Sequence, residues 1–111
     1  MVLDNFVSCL KESELKEGQM KSVRVKGRSI LLVQKDGKIF GVSNDCPHEG
    51  CSLSKGILDG YLVMCPCHGW KFDIRNGQYS DNKAITLASY ACKVQNGKIY
   101  VEIVNKGALF F

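Results

Sequence analysis

No stretch of this chain stays apolar for long. A membrane-spanning helix needs about 18 or more consecutive apolar residues, and no run in the 111 residues approaches that. The opening Met1-Val2-Leu3-Asp4-Asn5-Phe6 has neither a positive nor an apolar region of the kind a signal peptide carries. These absences lead to the expectation of a cytoplasmic protein without a membrane anchor. Basic residues are not concentrated either. The 15 Lys and Arg residues are scattered, the formal net charge is only +4, and no basic run interleaves with aromatics. Nucleic acid is therefore not the expected partner. There is no serine elbow, no phosphate-binding loop and no carboxylate pair at catalytic spacing, so the expectation is that the chain is not itself an enzyme. Internal repeats, low-complexity segments and linkers are also missing. With this length the chain reads as one domain, residues 1–111.

Long helical periodicity is lacking too, and what replaces it is a β pattern. Short apolar runs are separated by turn signals: Lys26-Gly27-Arg28, Lys35-Asp36-Gly37-Lys38, Asp59-Gly60, Arg75-Asn76-Gly77 and Asn96-Gly97. Asp-Gly and Asn-Gly tolerate the positive φ of hairpin turns. Strands are predicted at 5–10, 22–25, 30–33, 39–42, around 57–64, 72–74, 84–87, 90–94 and 98–104. The charged segment 11–18 reads as a short helical turn or a loop whose charge is a solvated face, and 78–83 as a polar loop. Evenly spaced strands argue for an all-β fold, an antiparallel sandwich or barrel, interrupted from about Asn44 to Phe72 by an insert. The apolar end, Gly107-Ala108-Leu109-Phe110-Phe111, is expected to pack back on the barrel.

Histidine is the scarcest chemistry-bearing residue. Both histidines, and four of the six cysteines, fall in Cys46-Pro47-His48-Glu49-Gly50-Cys51 and Cys65-Pro66-Cys67-His68-Gly69-Trp70. As metal ligands these give Cys46-x-His48, sixteen intervening residues, then Cys65-x-x-His68. Clustering around histidine favours cofactor binding over a secreted disulfide framework. Four such ligands satisfy tetrahedral zinc, and that would make the chain a structural or interaction module. But zinc knuckles usually leave two to four residues between ligands, and no helical pair of histidines follows. The second possibility is a [2Fe–2S] cluster with two thiolates on one iron and two imidazoles on the other.

At this point the sequence resembles the Rieske family, in Cys-x-His, the gap, Cys-x-x-His, Gly50, Pro66 and Gly69-Trp70. The resemblance implies one [2Fe–2S] cluster on a β-barrel base, held by Cys46, His48, Cys65 and His68 in the insert 44–72. Cys46 and Cys65 would hold the buried iron, and His48 and His68 the outer one. Cys51 and Cys67 match the extra pair that some members join as a disulfide. In a reducing cytosol such a bridge would need shielding, or an organism whose cytoplasm tolerates disulfides. Cys9 and Cys92, in predicted strands, read as buried small hydrophobes, with pairing as the alternative. Trp70 and Phe72 read as an apolar lid and stand where high-potential members place Ser and Tyr. Those hydroxyls hydrogen-bond cluster and ligand sulfur, so the resemblance implies a potential in the lower half of roughly −150 to +300 mV. Lys55, Lys71 and Glu49 read as solvated rim residues.

The function so implied is a monomeric one-electron carrier. Its expected partners are a flavoprotein reductase and a terminal oxygenase or reductase, docking near His48 and His68. The alternative is a small Rieske subunit of a larger reductase of the nitrite-reductase kind.

Overall fold

The computed structural model describes residues 6–46, 50–67 and 69–103. His48, Glu49, His68 and the apolar tail lie outside these. Among the described residues twelve strands run β1 Phe6–Lys11, β2 Met20–Val25, β3 Arg28–Lys35, β4 Lys38–Ser43, β5 Ile57–Asp59 and β6 Leu62–Met64, then β7 Lys71–Asp73, β8 Gln78–Tyr79, β9 Asn82–Thr86, β10 Ser89–Tyr90, β11 Cys92–Gln95 and β12 Lys98–Glu102. They form three sheets, ordered β1-β12-β11, β10-β4-β3-β2 and β5-β6-β7-β8-β9. Every pairing is antiparallel. The first two sheets are the base, and the third carries the second cysteine loop.

The turns explain the hairpins. Lys26, Asp36 and Asn96 have φ between 50° and 54°, and each is followed by a glycine at 75° to 80°. Positive φ at both central residues is the two-residue turn whose twist matches the flanking strands. The β5–β6 turn differs from the Asp59-Gly60 reading. Asp59 pairs with Leu62, so the central residues are Gly60 and Tyr61, and only Gly60 has positive φ.

β3 is the central layer. Ile30 and Leu32 face the base core with Leu15, Val25, Ile99 and Val101. Leu31 and Val33 face the other way, onto Cys46, Leu53, Val63, Cys65, Phe72, Ile74 and Leu87. All four β3 residues have no exposed surface. Fully burying a side chain of this size contributes about 1.5–3 kcal/mol, so β3 anchors both the base and the cysteine loops. That double burial is why the strand is a continuous apolar run and does not alternate.

One local expectation is extended and two are corrected. Segment 11–18 is a turn, with a 3-10 stretch Glu12–Glu14 closed by the Lys11 N–H donating to Glu14 Oε1 at 2.9 Å. It is not wholly solvated: Leu15 is completely buried, and its carbonyl accepts from Gln34 Nε2. The polar loop at 78–83 contains β8 and the start of β9, because Gln78 and Tyr79 pair with Thr86 and Asn82. The strand at 90–94 is two strands. Tyr90 pairs with Gly41 in one sheet and Cys92 with Val101 in the other; the chain changes sheets at Ala91.

The tip of the third sheet is tied to the base by side chains. Tyr61 donates its phenol to the Asp36 carboxylate at the β3–β4 turn, packs edge-on against Phe40 and lies under the Arg75 guanidinium, 4.3 Å from its ring centroid.

Candidate functional site

The two cysteine loops share one backbone construction. In the first, the Cys46 N–H donates to Cys51 O at 3.0 Å and the Gly50 N–H to Cys46 O at 2.6 Å. In the second, the Cys65 N–H donates to Trp70 O at 2.7 Å and the Gly69 N–H to Cys65 O at 3.0 Å. The offsets are the same, and the residue four after each cysteine is a glycine with φ of 73° or 76°. That left-handed conformation is open to glycine at little cost. Both loops read Cys-Pro-x-x-Gly, a repeat the ligand spacing had hidden because the two histidines occupy different places within it.

The loops are held by different means. The first hangs on Asn44, which is 3% exposed. Its Nδ2 donates to Ser29 Oγ at 3.2 Å and Ser52 Oγ at 3.1 Å, and its Oδ1 accepts from the Ser54 N–H at 2.9 Å. Its backbone N–H reaches Ser29 O and its carbonyl accepts from Leu53. The second loop continues a ladder, with Val63 opposite Phe72 and Met64 opposite Lys71.

These supports bring Cys46 and Cys65, 1% and 2% exposed, into one apolar cluster on the outer face of β3. Cys51 and Cys67 are joined as a disulfide with Cα atoms 6.4 Å apart, tying loop to loop. Cys67 is exposed and Cys51 half-buried, so the fold does not itself shield the bridge at Cys67. The Cys65 sulfur and both bridge sulfurs lie within 4.8 Å of one another.

An aromatic wall stands beside the second loop. Phe72 is fully buried. Trp70 stacks on Tyr79 with centroids 4.3 Å apart and planes 8° from parallel, and Phe72 lies 5.5 Å from Tyr79. Burial, followed by the charge and the hydrogen bond of Asp81, pushes the Tyr79 phenol above its ordinary range. Asn44 and Tyr79 were not singled out as functional from the sequence. Asn44 gave no local signal, since its partners are 8 to 15 residues away; Tyr79 lay in a polar stretch. Lys55 and Lys71 are exposed. Lys55, Ile57, Met64, Cys65 and Pro66 line an open depression of about 300 Å³. Ile57 is 59% exposed there.

Cys9 and Cys92 are unbridged and half-buried. Their thiols face the carbonyls of Val7 and Tyr90. Burial first, and then the neighbouring Cys9, pushes the Cys92 thiol up to about 12. Such thiols are inert at neutral pH.

Thiolates are the soft ligands that iron–sulfur clusters use. Two thiols here, Cys46 and Cys65, are withdrawn from water at equivalent points of two braced loops, while the sulfurs that lie within 4.8 Å of one another are those of Cys51, Cys65 and Cys67.

Residues 5–91 match the family model for the Rieske [2Fe-2S] domain. The chain belongs to this family. Its members are defined by a [2Fe–2S] cluster. The chain is 31% identical to the ferredoxin component of the alkene monooxygenase system of Xanthobacter autotrophicus, over 86% of this chain and 80% of that protein. It is 35% identical to human apoptosis-inducing factor 3 over 79% of this chain, but spans only 15% of that longer protein. Among solved structures it superposes on a chain from the complex of reduced oxygenase and oxidized ferredoxin in carbazole 1,9a-dioxygenase. The TM-score is 0.80 at 26% identity, covering 88% of this chain and 93% of that one. The antiparallel all-β Rieske fold expected from the sequence is the fold observed. Among the described residues no helix is long and apolar enough to cross a membrane.

Proposed function

We propose that this chain is a one-electron carrier holding one Rieske [2Fe–2S] cluster through Cys46, Cys65, His48 and His68. The reading takes residues 1–111 as a single Rieske domain with 44–72 as its cluster-binding insert, whose sheet runs on to Thr86. The observation that supports it is the matched pair of loops, each burying one cysteine in the same apolar cluster and the two braced by Cys51–Cys67. When bound, the cluster supplies a site that gains and loses one electron.

The chain's own residues supply the rest. Leu31, Val33, Val63 and Phe72 exclude water from the Cys46 and Cys65 side, which keeps the thiolates from exchanging ligands with solvent. The loop turns at Gly50 and Gly69 let each chain reverse tightly above its cysteine. Four protein ligands leave no open coordination for substrate, so the chain transfers charge and performs no bond chemistry. The ferredoxin component of an alkene monooxygenase system and the ferredoxin–oxygenase complex among similar proteins support a terminal oxygenase as electron acceptor. The donor is a flavoprotein reductase, both partners docking near His48 and His68, in the cytoplasm.

Iron and acid-labile sulfide analysis tests the reading. Two of each per chain, with a red-brown visible spectrum, are expected, and His48→Ala or His68→Ala should lose the cluster. A loaded, spectroscopically unchanged His48→Ala protein would reject the ligand set. A colourless protein holding zinc would reject the cluster itself.

A further inference from the structure

The outer face of the third sheet carries apolar surface that the fold leaves open. Ile57, Met64 and Lys71 form one cross-strand row, and residues directly opposite in a ladder share a face. Val63 and Phe72, the next pair, point the other way into the core. β5 is the outermost strand of its sheet, and Ile57 on it is 59% exposed. Ile57 and Met64 wall the depression of about 300 Å³ together with Lys55, Gly56, Pro66 and Gly69. A Cβ at Gly56 would overlap the Met64 carbonyl, so only glycine lets the Leu53–Lys55 turn approach β6 and set Lys55 at the rim. Charge is divided across this face. Lys55 and Lys71 are exposed on the side of the second cysteine loop. Asp59 lies one row away, opposite Leu62, in the row where Asp73 is paired with Arg75.

We propose that this depression is the anchor site for the electron-accepting protein. An apolar side chain of the acceptor fills it, and carboxylates beside that side chain meet Lys55 and Lys71. The proposal rests on the electron-carrier reading and names the surface chemistry of the acceptor which that reading requires.

The shape favours a protein side chain over a small ligand. Ligand pockets enclose most of their occupant and aim several polar groups at it. This depression is open, and the charged groups at its edge are two ammonium groups that do not converge on its floor. One apolar side chain seated in a pocket is the usual centre of a protein interface, and charges around it steer encounter and fix orientation. The position suits the task. Pro66 and Gly69 belong to the second cysteine loop, so a partner anchored on them lies against that loop. Electron transfer slows steeply with distance, and an anchor on the loop keeps the distance short. Asp59, on the far side, repels an acidic partner that slides away from the loop.

Small acceptors of chosen chemistry test this. The reduced, loaded protein is mixed by stopped flow with dichlorophenolindophenol, an aromatic anion, with ferricyanide, an anion without apolar surface, or with tris(phenanthroline)cobalt(III), an aromatic cation. Lys55→Glu with Lys71→Glu should slow both anions about tenfold and spare the cation. Lys16→Glu with Lys98→Glu makes the same change of net charge on the base, and should stay within about twofold of the parent. Negative charge near the cluster lowers its potential and speeds every acceptor, so slowing of the anions alone reports docking. Ile57→Ser should slow the aromatic anion and leave ferricyanide unchanged. Equilibrium binding of anilinonaphthalene sulfonate, an apolar anion, gives a readout independent of electron transfer. Its fluorescence titration should weaken in Ile57→Ser and in the Lys55, Lys71 double variant. Equal effects of the two lysine pairs, or parent rates and parent binding in Ile57→Ser, overturn the proposal. So does a parent dimer in sedimentation that Ile57→Ser dissociates, which assigns the depression to a second copy. Iron and sulfide analysis of the same samples tests the carrier reading separately: a chain that holds neither rejects that reading, while the binding titration still reports on the depression.

Discussion

The two cysteine loops have the same backbone rings and opposite means of support. The first is suspended from one buried side chain, Asn44, whose amide reaches Ser29 in the base and Ser52 and Ser54 beyond the loop. The second is the end of a ladder in which no single side chain carries the register. A loop held by one amide gains its exact placement from three hydrogen bonds and loses all of them in one substitution. A loop held by a ladder spreads the same task over the backbone, which substitution does not remove. The difference predicts unequal tolerance to mutation at two sites that do equal chemical work.

Asn44→Ala should give the largest effect. It leaves the half-buried Ser29 and Ser52 hydroxyls and the Ser54 N–H without their partner. Each buried group left unsatisfied costs about 1–3 kcal/mol, so a loss of about 3–4 kcal/mol in urea unfolding is expected, with poor cluster loading. Lys71→Ala, on the ladder of the second loop, should stay within about 0.5 kcal/mol of the parent. Equal losses from the two would erase the distinction between the loops.

Removing the brace asks whether the loops act separately. Cys51→Ser with Cys67→Ser opens a link between residues 16 apart, worth about 3 kcal/mol for a loop of this size. The first loop, with less backbone pairing, should loosen before the base unfolds. Iron release should therefore precede the loss of β circular dichroism on heating, and coincident transitions would show the brace to be a global staple instead.

Phe72→Tyr sharpens the electronic side of the second loop. Phe72 has no exposed surface and packs in the cluster that holds Cys46 and Cys65. A phenol there that donates to sulfur favours the reduced form, because the added electron makes that sulfur more negative. The parent potential should fall in the lower half of roughly −150 to +300 mV, and the substitution should raise it. Protein-film voltammetry that finds the parent near the top of the range, or a drop on adding the hydroxyl, would assign the potential to backbone donors or exposure.

Much of this was legible in the sequence, for identifiable reasons. The hairpins declared themselves because Asp36-Gly37 and Asn96-Gly97 need positive φ, and the cysteines because their spacing is chemical. Leu15 was hidden by the charges around it, and its burial comes from β3 and β12, far along the chain. Tyr79 was hidden because a two-residue strand has no period to read. Asn44 was hidden most completely: a buried amide is distinguished from an exposed one only by partners that folding brings to it. The equivalence of the loops was present as Cys-Pro-x-x-Gly twice, yet only the shared hydrogen bonds show that the repeat is structural.

A small, pH-dependent effect is expected at the far end of the second loop's ladder. Asp73 closes β7, accepting from the Arg75 backbone N–H at 2.8 Å and from its guanidinium at 3.0 and 2.8 Å. The Arg75 hydrogen bonds lower the Asp73 pKa, against a smaller opposing contribution from burial. A carboxylate whose folded pKa is depressed stabilises the fold above its unfolded pKa, near 3.9. That contribution is lost as pH falls through the lower folded value. Arg75 is largely exposed, so solvent screening limits the pair to about 1 kcal/mol or less. Asp73→Asn should therefore cost little at neutral pH, and the gap between variant and parent should close as pH drops below the unfolded value near 3.9. Urea midpoints across that interval check it. A gap as large as that of Asn44→Ala would mean the second loop also depends on a single side chain, and that its ladder does not distribute the load.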